Sequence, residues 1–575
     1  MMKKKFCIVV MMGSVVGFCS AEMFPTIIDP NNPAKLANPP SQSATPSTKS
    51  TSSVTPSTAK TVPALTPDTR VEVKHIQFIG GTRYSLESLI GPFRQYVGKT
   101  VPLSQLLAAT DSLTQRYHND GYVLSYAYLP TENFQNGMLK VGLVEGYVTS
   151  TQIHSDNKMI TAWLSKLSKK IMAEKPQTRA TFDRYSMLMS RTPDTKVTAS
   201  AKNPDNIYGA AVMDVDAKRT RNWNVMTSVD SRRDSVDGVI NATLSGLTPY
   251  GEQLGVATLV PLSGSTKKKY GGLNYQQYLN DDGLLMQLKG SYFDQNDKDF
   301  NRLQTLPNNI NVDYKARQTQ YNGGFTLSYP LELNAKKQWT LSGGADYLYK
   351  KYNYDLRASN DVQSIALDGI NQFVRYPALE ASLNGYREYE QFYWNARFNV
   401  RQGVDGLGAS SNIPATDLNF TRWRFNGDAA YLFAKKWRLS TSWEGDWSNN
   451  DLPEPERASF GSSRYARGYQ DGEATGDYGY GGQVEMRYIH DRQQGVWLKT
   501  IQPYVVMDTA RTYFNQSGLP KQRLASYALG VTLADNKHYS VSVEAARPIG
   551  DVPLDNDKRN WRLNATFTYN FNSNI

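Results

Sequence analysis

A two-residue alternation of apolar and polar side chains runs through the C-terminal part of this chain. In the last alternating segment, apolar residues from Trp561 to Phe571 alternate with polar residues from Arg562 to Asn570. Successive side chains of a β-strand point to opposite faces, so this pattern predicts strands with one apolar and one polar face. Sixteen such segments occur between residues 220 and 575, near positions 222, 239, 252, 269, 284, 321, 338, 372, 390, 420, 437, 479, 496, 523, 538 and 561. An even number of such strands can close into a barrel without unpaired edges.

The apolar faces of these segments are rich in aromatic residues, whereas the opposite faces carry arginine, glutamate and aspartate. A soluble sandwich or propeller is the alternative, but this distribution favours a membrane barrel with a hydrated lumen. After residue 21 no run of about 20 apolar residues exists, and the mean hydropathy is −0.53, which excludes a polytopic helical membrane protein. The net charge of +11 is spread among many acidic residues, so we expect no nucleic-acid partner.

The N-terminus has the pattern of a secretory signal peptide, predicted over residues 1–21. Three lysines, residues 3–5, precede an apolar stretch from Phe6 to Phe18 and a small-residue cleavage site that ends at Ala21. A membrane anchor or a lipidated cysteine is the alternative. Both cysteines, Cys7 and Cys19, lie in the predicted signal peptide, so we expect a mature chain without thiols or disulfides.

A linker is predicted at residues 37–69, where 6 proline, 7 serine and 8 threonine residues occupy 21 of 33 positions. Such a segment buries too little apolar surface to fold alone. It tethers residues 22–36, in which Pro25, Pro30 and Pro33 allow at most a short helix.

Two small α+β modules are predicted next, at residues 70–148 and 149–219. The first shows a strand pattern at 71–78, helical periodicity at 85–96 and 104–119, and strands at 122–129 and 138–144. The same order recurs at 148–154, 160–172, 180–190, 196–201 and 208–215. Two consecutive segments of one plan indicate an internal repeat.

Sequence signals for catalysis are weak. The stretch from Gly91 to Thr100 is similar to a phosphate-binding loop, but six residues instead of four separate its glycines, so a turn between helices is the better interpretation. No nucleophile elbow or zinc-protease motif occurs, and the five histidines are scattered. We therefore expect no catalytic site, no metal and no cofactor.

Two such modules before a sixteen-stranded barrel resemble the two-partner secretion transporters of the bacterial outer membrane. In that family the modules are periplasmic POTRA domains, and the sixth extracellular loop carries Val-Arg-Gly-Tyr or Val-Arg-Gly-Phe at its tip. Here a long loop at about 449–478 contains Arg467, Gly468 and Tyr469, with Ala466 in place of the valine. The expected fold is a transmembrane β-barrel of about 16 antiparallel strands, at residues 220–575, preceded by two periplasmic α+β POTRA domains.

The resemblance implies that Arg467 pairs with an aspartate on the inner barrel wall. Asp508 is the matching position, although Val506 replaces an aromatic residue and Ala510 a glycine of the family pattern. An ordinary lumen carboxylate and a solvated loop arginine are the alternatives. Glu485 and Arg487 share a strand face and are predicted to line the lumen.

The implied function is secretion of an unfolded partner exoprotein, of the type paired with such transporters, through the barrel. The family includes transporters of haemolysins, adhesins and contact-dependent growth-inhibition effectors. It also implies that residues 22–36 form a plug helix, for which a disordered tail is the alternative. The remaining expected partners are outer-membrane lipid and the barrel-assembly machinery, which recognises an aromatic C-terminal strand. The protein is expected to be a monomer. A barrel insertase and a diffusion or uptake channel are the rival functions.

Overall fold

The computed structural model describes residues 53–54 and 66–571. Short gaps fall at 131–132, 203, 205–207, 220, 232–235, 307–309, 361–362, 435, 463–464, 493–496, 520, 536 and 556–557. The predicted signal peptide, the segment 22–36 and most of the linker 37–69 lie outside the described residues. Inside the linker, Ser53–Val54 pairs in parallel with the strand Lys196–Ala201 of the second module.

In the described part of the chain, sixteen antiparallel strands form a closed barrel. They are β1 (Trp223–Asp230), β2 (Val236–Ser245), β3 (Gln253–Ser263), β4 (Thr266–Tyr278), β5 (Leu285–Asp297), β6 (Ile310–Leu333), β7 (Lys337–Ser359), β8 (Ser364–Glu388), β9 (Phe392–Gly403), β10 (Thr421–Phe433), β11 (Trp437–Trp447), β12 (Tyr478–Tyr488), β13 (Thr500–Tyr513), β14 (Gln522–Ala534), β15 (Tyr539–Pro548) and β16 (Arg562–Asn570). Strand β16 pairs with β1, with Asn570 opposite Met226, and this pairing closes the barrel. The predicted sixteen-stranded barrel is confirmed.

The alternation places apolar side chains on the outer surface. In β16, Leu563 is 72% exposed, whereas its neighbour Asn564 is 4% exposed and points inward. In β9, Phe398 is exposed while Arg401 is buried. An exposed apolar outer face with a charged inner face is the arrangement that a lipid-embedded barrel requires.

Strands β6, β7 and β8 are much longer than the others, with 24, 23 and 25 residues. A tilted strand needs about 9 to 11 residues to cross a bilayer. The outer halves of these strands therefore extend beyond the membrane, on the side away from the modules. Three short strands pair along the barrel rims: Asn301–Leu306, Ser410–Ser411 and His490–Asp491.

The first module contains a three-stranded sheet with helices α1 (Leu86–Ile90) and α2 (Leu103–Asn119). Its sheet has the order Tyr126–Tyr128, Met138–Val144, His75–Ile79, and a separate pair joins Arg70–Val73 to Lys99–Pro102. The single strand predicted at 71–78 is thus divided at Lys74, because its two halves pair with different partners. The helix predicted at 85–96 continues after α1 as a 3-10 helix, Gly91–Tyr96, in which Pro92 lacks an amide donor.

The second module repeats this order. Its elements are the strand Tyr147–His154, α3 (Lys158–Met172), α4 (Arg179–Ser190) and the strands Lys196–Ala201 and Ala210–Lys218. His75–Ile79 in the first module and Tyr147–His154 in the second are each parallel to the last strand of their module, and in both modules the last strand is antiparallel to the one before it. None of the described helices has the length and apolar character needed to span a bilayer.

The second module packs directly against turns at one end of the barrel. Arg184 donates hydrogen bonds to the carbonyl oxygens of Pro330, at 2.9 Å, and Asp282, at 2.8 Å. Tyr185 donates to the Asp282 carboxylate at 2.7 Å, and Trp163 stacks on Tyr278 at 5.1 Å between ring centroids. These contacts place the second module at the barrel end opposite the long loop between β11 and β12.

Candidate gating site

The loop between β11 and β12, residues 448–477, folds back against the inner wall of the barrel. Two short strands, Ala458–Phe460 and Ala474–Gly476, pair to form a hairpin within it. We call residues 458–476 the loop tip. Phe460 and Tyr469 of the loop tip are almost completely buried, in an apolar cluster that includes Leu524 of β14. A loop of this length therefore occupies lumen space instead of extending into solvent.

The backbone of the loop tip reverses direction just before Arg467. Tyr465 and Ala466 have φ angles of +57° and +59°, in the left-handed region that non-glycine residues rarely adopt. The carbonyl oxygen of Ala466 accepts hydrogen bonds from the amides of Ser462, at 3.1 Å, and Tyr469, at 3.0 Å. These hydrogen bonds and the burial of Ala466 hold the strained turn in place.

Gly468 lies against the backbone of β15. A Cβ atom at this position would be 2.6 Å from the Pro548 nitrogen and 2.8 Å from the Arg547 carbonyl carbon. The glycine amide donates a 3.0 Å hydrogen bond to the Ser526 hydroxyl. Tyr465 and Ala466 form the tight turn, so glycine is required at position 468 by the close approach of two backbones.

The guanidinium of Arg467 meets a carboxylate on the inner wall. Its Nη1 atom is 2.6 Å from Oε2 of Glu544 on β15, and its Nη2 donates to the Gln483 side chain on β12 at 3.2 Å. Asn564 of β16 contacts the Arg467 carbonyl oxygen at 3.4 Å. Charge-assisted hydrogen bonds in such a buried setting are strong, so Arg467 fastens the loop tip to the wall.

Asp508, the residue that the family resemblance pairs with Arg467, lies in the same site but in a different role. Its carboxylate accepts a 3.0 Å hydrogen bond from the backbone amide of Arg467 and another from the Ser526 hydroxyl. The distance from its Oδ2 to the guanidinium Nε is 3.9 Å, which is longer than the Glu544 contact. Asp508 therefore orients the backbone of the loop tip, and Glu544 is the nearer counterion.

Tyr469 joins the loop tip to the loop between β15 and β16. Its ring is buried in the cluster described above, and its hydroxyl donates a 2.8 Å hydrogen bond to the Asp551 carbonyl oxygen. An apolar ring with a polar end suits a position where one edge of a side chain is buried and the other reaches a backbone acceptor.

Glu485 and Arg487 both face the interior, next to the Arg467 site. Arg487 Nε is 2.6 Å from Glu485 Oε1, and its guanidinium lies 4.3 Å from the centroid of the Tyr504 ring. The Tyr504 hydroxyl in turn donates to Glu544 at 2.9 Å. The structure thus connects these two residues to the Arg467 site through one tyrosine, as part of a continuous polar network on the wall.

Two comparisons with protein families cover most of the chain. The model of the ShlB-type POTRA domain matches residues 71–146, and the model of the haemolysin secretion/activation protein ShlB/FhaC/HecB matches residues 209–533. The second match spans more than half of the chain. The chain belongs to the ShlB/FhaC/HecB family.

One relative and two solved structures are similar to this chain over most of its length. The heme/hemopexin transporter protein HuxB of Haemophilus influenzae is 19% identical over 490 residues, which covers 83% of each chain. CdiB from Escherichia coli superposes with a TM-score of 0.68 at 17% identity, covering 89% of this chain and 94% of that one. CdiB from Acinetobacter baumannii gives a TM-score of 0.60 at 15% identity, covering 95% and 100%.

Family membership and the barrel together establish where this ShlB/FhaC/HecB protein is located. It is a two-partner secretion transporter of the bacterial outer membrane, with its barrel in the bilayer and its POTRA region in the periplasm. The long loop is therefore on the extracellular side, and its tip contacts the inner wall from that side.

Four residues of the Arg467 site were not predicted from the sequence: Glu544, Gln483, Ser526 and Asn564. The two-residue periodicity of its strand puts each of these side chains on the inner face of the barrel, so its inward direction could have been predicted. Which inward residue meets Arg467 depends on the register of strands β12 to β16 and on the path of the loop, and neither is visible in a local pattern.

Proposed function

We propose that this transporter exports its unfolded partner polypeptide through the lumen, and that withdrawal of the loop tip from the wall opens the path. The observation that carries the proposal is the contact between Arg467 and Glu544, at 2.6 Å, in a loop that occupies the lumen. A sixteen-stranded barrel is wide enough to conduct when empty. A loop held by a largely buried ion pair keeps the barrel closed until export begins.

Capture of the partner is proposed to occur by strand addition to a periplasmic sheet. In the first module, the strand His75–Ile79 pairs on one side with Met138–Val144, and no other strand of the described residues pairs with it. An extended polypeptide can add to such an edge through main-chain hydrogen bonds. The unfolded state that export requires is also the state that this edge would bind.

Export needs a driving force that does not come from nucleotide hydrolysis, because the periplasm contains no ATP. We propose that the partner folds outside the cell, which makes backward movement unfavourable. The partner itself is best identified by experiment, since HuxB is named as a heme/hemopexin transporter whereas the CdiB structures share only the fold.

The transporter is proposed to act as a monomer that contacts lipid directly. One chain closes the whole barrel through the pairing of β1 with β16, so closure needs no second copy. Exposed apolar residues such as Leu563 and Phe567 of β16 suit a lipid contact. Insertion by the barrel-assembly machinery, reading the last strand, belongs to the same proposal.

Arg467→Ala tests the role of the loop. We expect normal assembly, measured by heat-modifiable mobility, together with loss of partner secretion. Removing one member of the pair, which for a buried pair costs roughly 3 to 5 kcal/mol, leaves the loop tip unable to return to the wall, so export lacks the closed state from which it starts. Arg511→Ala is the matched control, since Arg511 lies exposed on the same strand as Asp508. Normal secretion by Arg467→Ala would contradict this role.

Deletion of the gene, followed by mass spectrometry of surface and medium proteins, separates the transporter from its rivals. Loss of one large exported polypeptide identifies the partner. Broad loss of outer-membrane barrels would instead indicate an insertase, and an unchanged protein profile would indicate a diffusion or uptake channel.

A further inference from the structure

The long loop is held at a second place, close to where it leaves β11. Glu456 is 3% exposed, and its Oε1 atom accepts hydrogen bonds from Arg401 Nε, at 2.8 Å, and from the Tyr376 hydroxyl, at 3.0 Å. Its Oε2 atom is 2.7 Å from Nη1 of Arg422. Both oxygens of the Glu456 carboxylate therefore pair with guanidinium groups, and one also accepts a hydrogen bond from a hydroxyl.

Glu454, two residues earlier, makes a second set of contacts in the same region. Its Oε2 atom is 2.7 Å from the Lys350 ammonium and accepts a hydrogen bond from the Tyr352 hydroxyl. Lys350 is completely buried, so removing Glu454 would leave an ammonium in the protein interior without this carboxylate.

An apolar contact reinforces these ion pairs. Leu452 is completely buried in a cluster with wall residues of β7 and β8 and with the loop before β10: Leu348, Val374, Tyr376, Ala378 and Phe420. This cluster shares no residue with the apolar cluster of the loop tip. We call Leu452, Glu454 and Glu456, with their partners on the wall, the root anchor.

The root anchor and the loop tip contact different parts of the barrel wall. Lys350, Tyr376, Arg401 and Arg422 belong to β7, β8, β9 and β10 in turn, whereas Asp508, Ser526, Glu544 and Asn564 belong to β13, β14, β15 and β16. The loop is therefore attached to the wall on both sides of its own strands β11 and β12.

We propose that the root anchor is a fixed pivot, so that only the loop tip leaves the wall when the barrel opens. The two attachments share no side chain, and the energies of separate sites are approximately additive. Releasing both therefore costs much more than releasing the tip, and the state with only the tip released is far more populated. The passage for the exported polypeptide then opens along β13 to β16, while the wall at β7 to β10 stays covered. This consequence for export rests on the proposed function, but the pivot itself does not.

Single cysteines can report on the two attachments separately. The mature chain is predicted to contain no cysteine, because Cys7 and Cys19 both precede the cleavage site. Ala466→Cys places a thiol in the buried loop tip, and Leu452→Cys places one in the buried root anchor. Each is introduced into the full-length protein in whole cells, alone and combined with Arg467→Ala or Glu456→Gln, and its rate of reaction with a membrane-impermeant maleimide is measured.

Arg467→Ala is expected to raise the labelling rate at position 466 at least roughly tenfold, since a buried ion pair is lost, and to leave the rate at position 452 unchanged. Glu456→Gln is expected to raise the rate at position 452. Equal increases at both positions in Arg467→Ala would show that the loop moves as one unit and would overturn the pivot. Continued protection of position 452 in Glu456→Gln would overturn the root anchor.

Heat-modifiable mobility identifies variants that assemble, and Glu454→Gln replaces Glu456→Gln if the latter does not. Glu390→Gln, at an exposed periplasmic turn, is the matched control and should change neither rate. If labelling follows these expectations but the unaltered protein secretes no polypeptide, the proposed function fails while the pivot stands.

Discussion

Gly468→Ala is the smallest change that should prevent the loop tip from seating on the wall. The added methyl group would lie 2.6 Å from the Pro548 nitrogen and 2.8 Å from the Arg547 carbonyl carbon. Both atoms belong to the backbone of β15, where Arg547 and Pro548 pair with β14, and this backbone cannot turn aside as a side chain would. Either the loop tip moves outward or β15 deforms.

The expected cost follows from these distances. Inserting a methyl group into a packed site costs typically about 1 to 3 kcal/mol, and rigid backbone neighbours place this site at the upper end. About 3 kcal/mol corresponds to a roughly hundredfold shift from the seated to the released loop tip. Single-channel recordings of the purified protein in planar bilayers should show this shift as a higher open probability, with the same conductance in the open state.

Gly445→Ala is the matched control, because a Cβ atom on this glycine of β11 would meet no atom within 4 Å. It should behave like the unaltered protein. An open probability in Gly468→Ala equal to that of Gly445→Ala, with both variants correctly assembled, would refute the close approach of the two backbones as the reason for glycine at this position.

Two further predictions concern single carboxylates. Glu544→Gln should release the loop tip more than Asp508→Asn does, because Glu544 is 2.6 Å from the Arg467 guanidinium whereas Asp508 is 3.9 Å from it. The open probabilities of the two variants in bilayers measure this difference. The reverse order would contradict the assignment of Glu544 as the nearer counterion. In the first module, burial raises the pKa of Glu145, but hydrogen bonds donated by Thr82 and Arg83 outweigh it and lower this pKa. The stabilisation is complete above the pKa of an unfolded glutamate, about 4.3, and is lost as the pH falls through the lower folded value. Amide hydrogen exchange around Thr82 should therefore increase in acid, and Glu145→Gln should reduce that dependence.

The strands and the second module were largely predictable because their signals are local. Alternation marks β16 residue by residue, and the helical periodicity of residues 160–172 and 180–190 corresponds closely to α3 and α4. Each such pattern depends on which face of one element is buried, and neighbouring residues alone reveal that. The segment 71–78 shows where this fails: its division at Lys74 follows from two pairing partners that lie far along the chain.

The gating site was predictable only in part. The tripeptide from Arg467 to Tyr469 is distinctive enough to single out a loop, and Asp508 does lie beside it. Glu544 is 77 residues from Arg467 in the sequence and has the appearance of any inward-facing carboxylate. Likewise, Glu454 and Glu456 resemble ordinary acidic residues of a solvated loop until the wall arginines and Lys350 are seen around them.

By itself the sequence determined that this chain is exported, that it forms a closed barrel of sixteen alternating strands, and that one loop carries a family motif. These properties depend on short-range periodicity and composition, which need no knowledge of pairing. Only the tertiary structure decided which wall residues hold the loop, and that it is held at two separate places, on strands before β11 and on strands from β12 onward. The reason is physical: ion pairs form between side chains that strand register and barrel closure bring together, and sequence separation carries no information about that proximity.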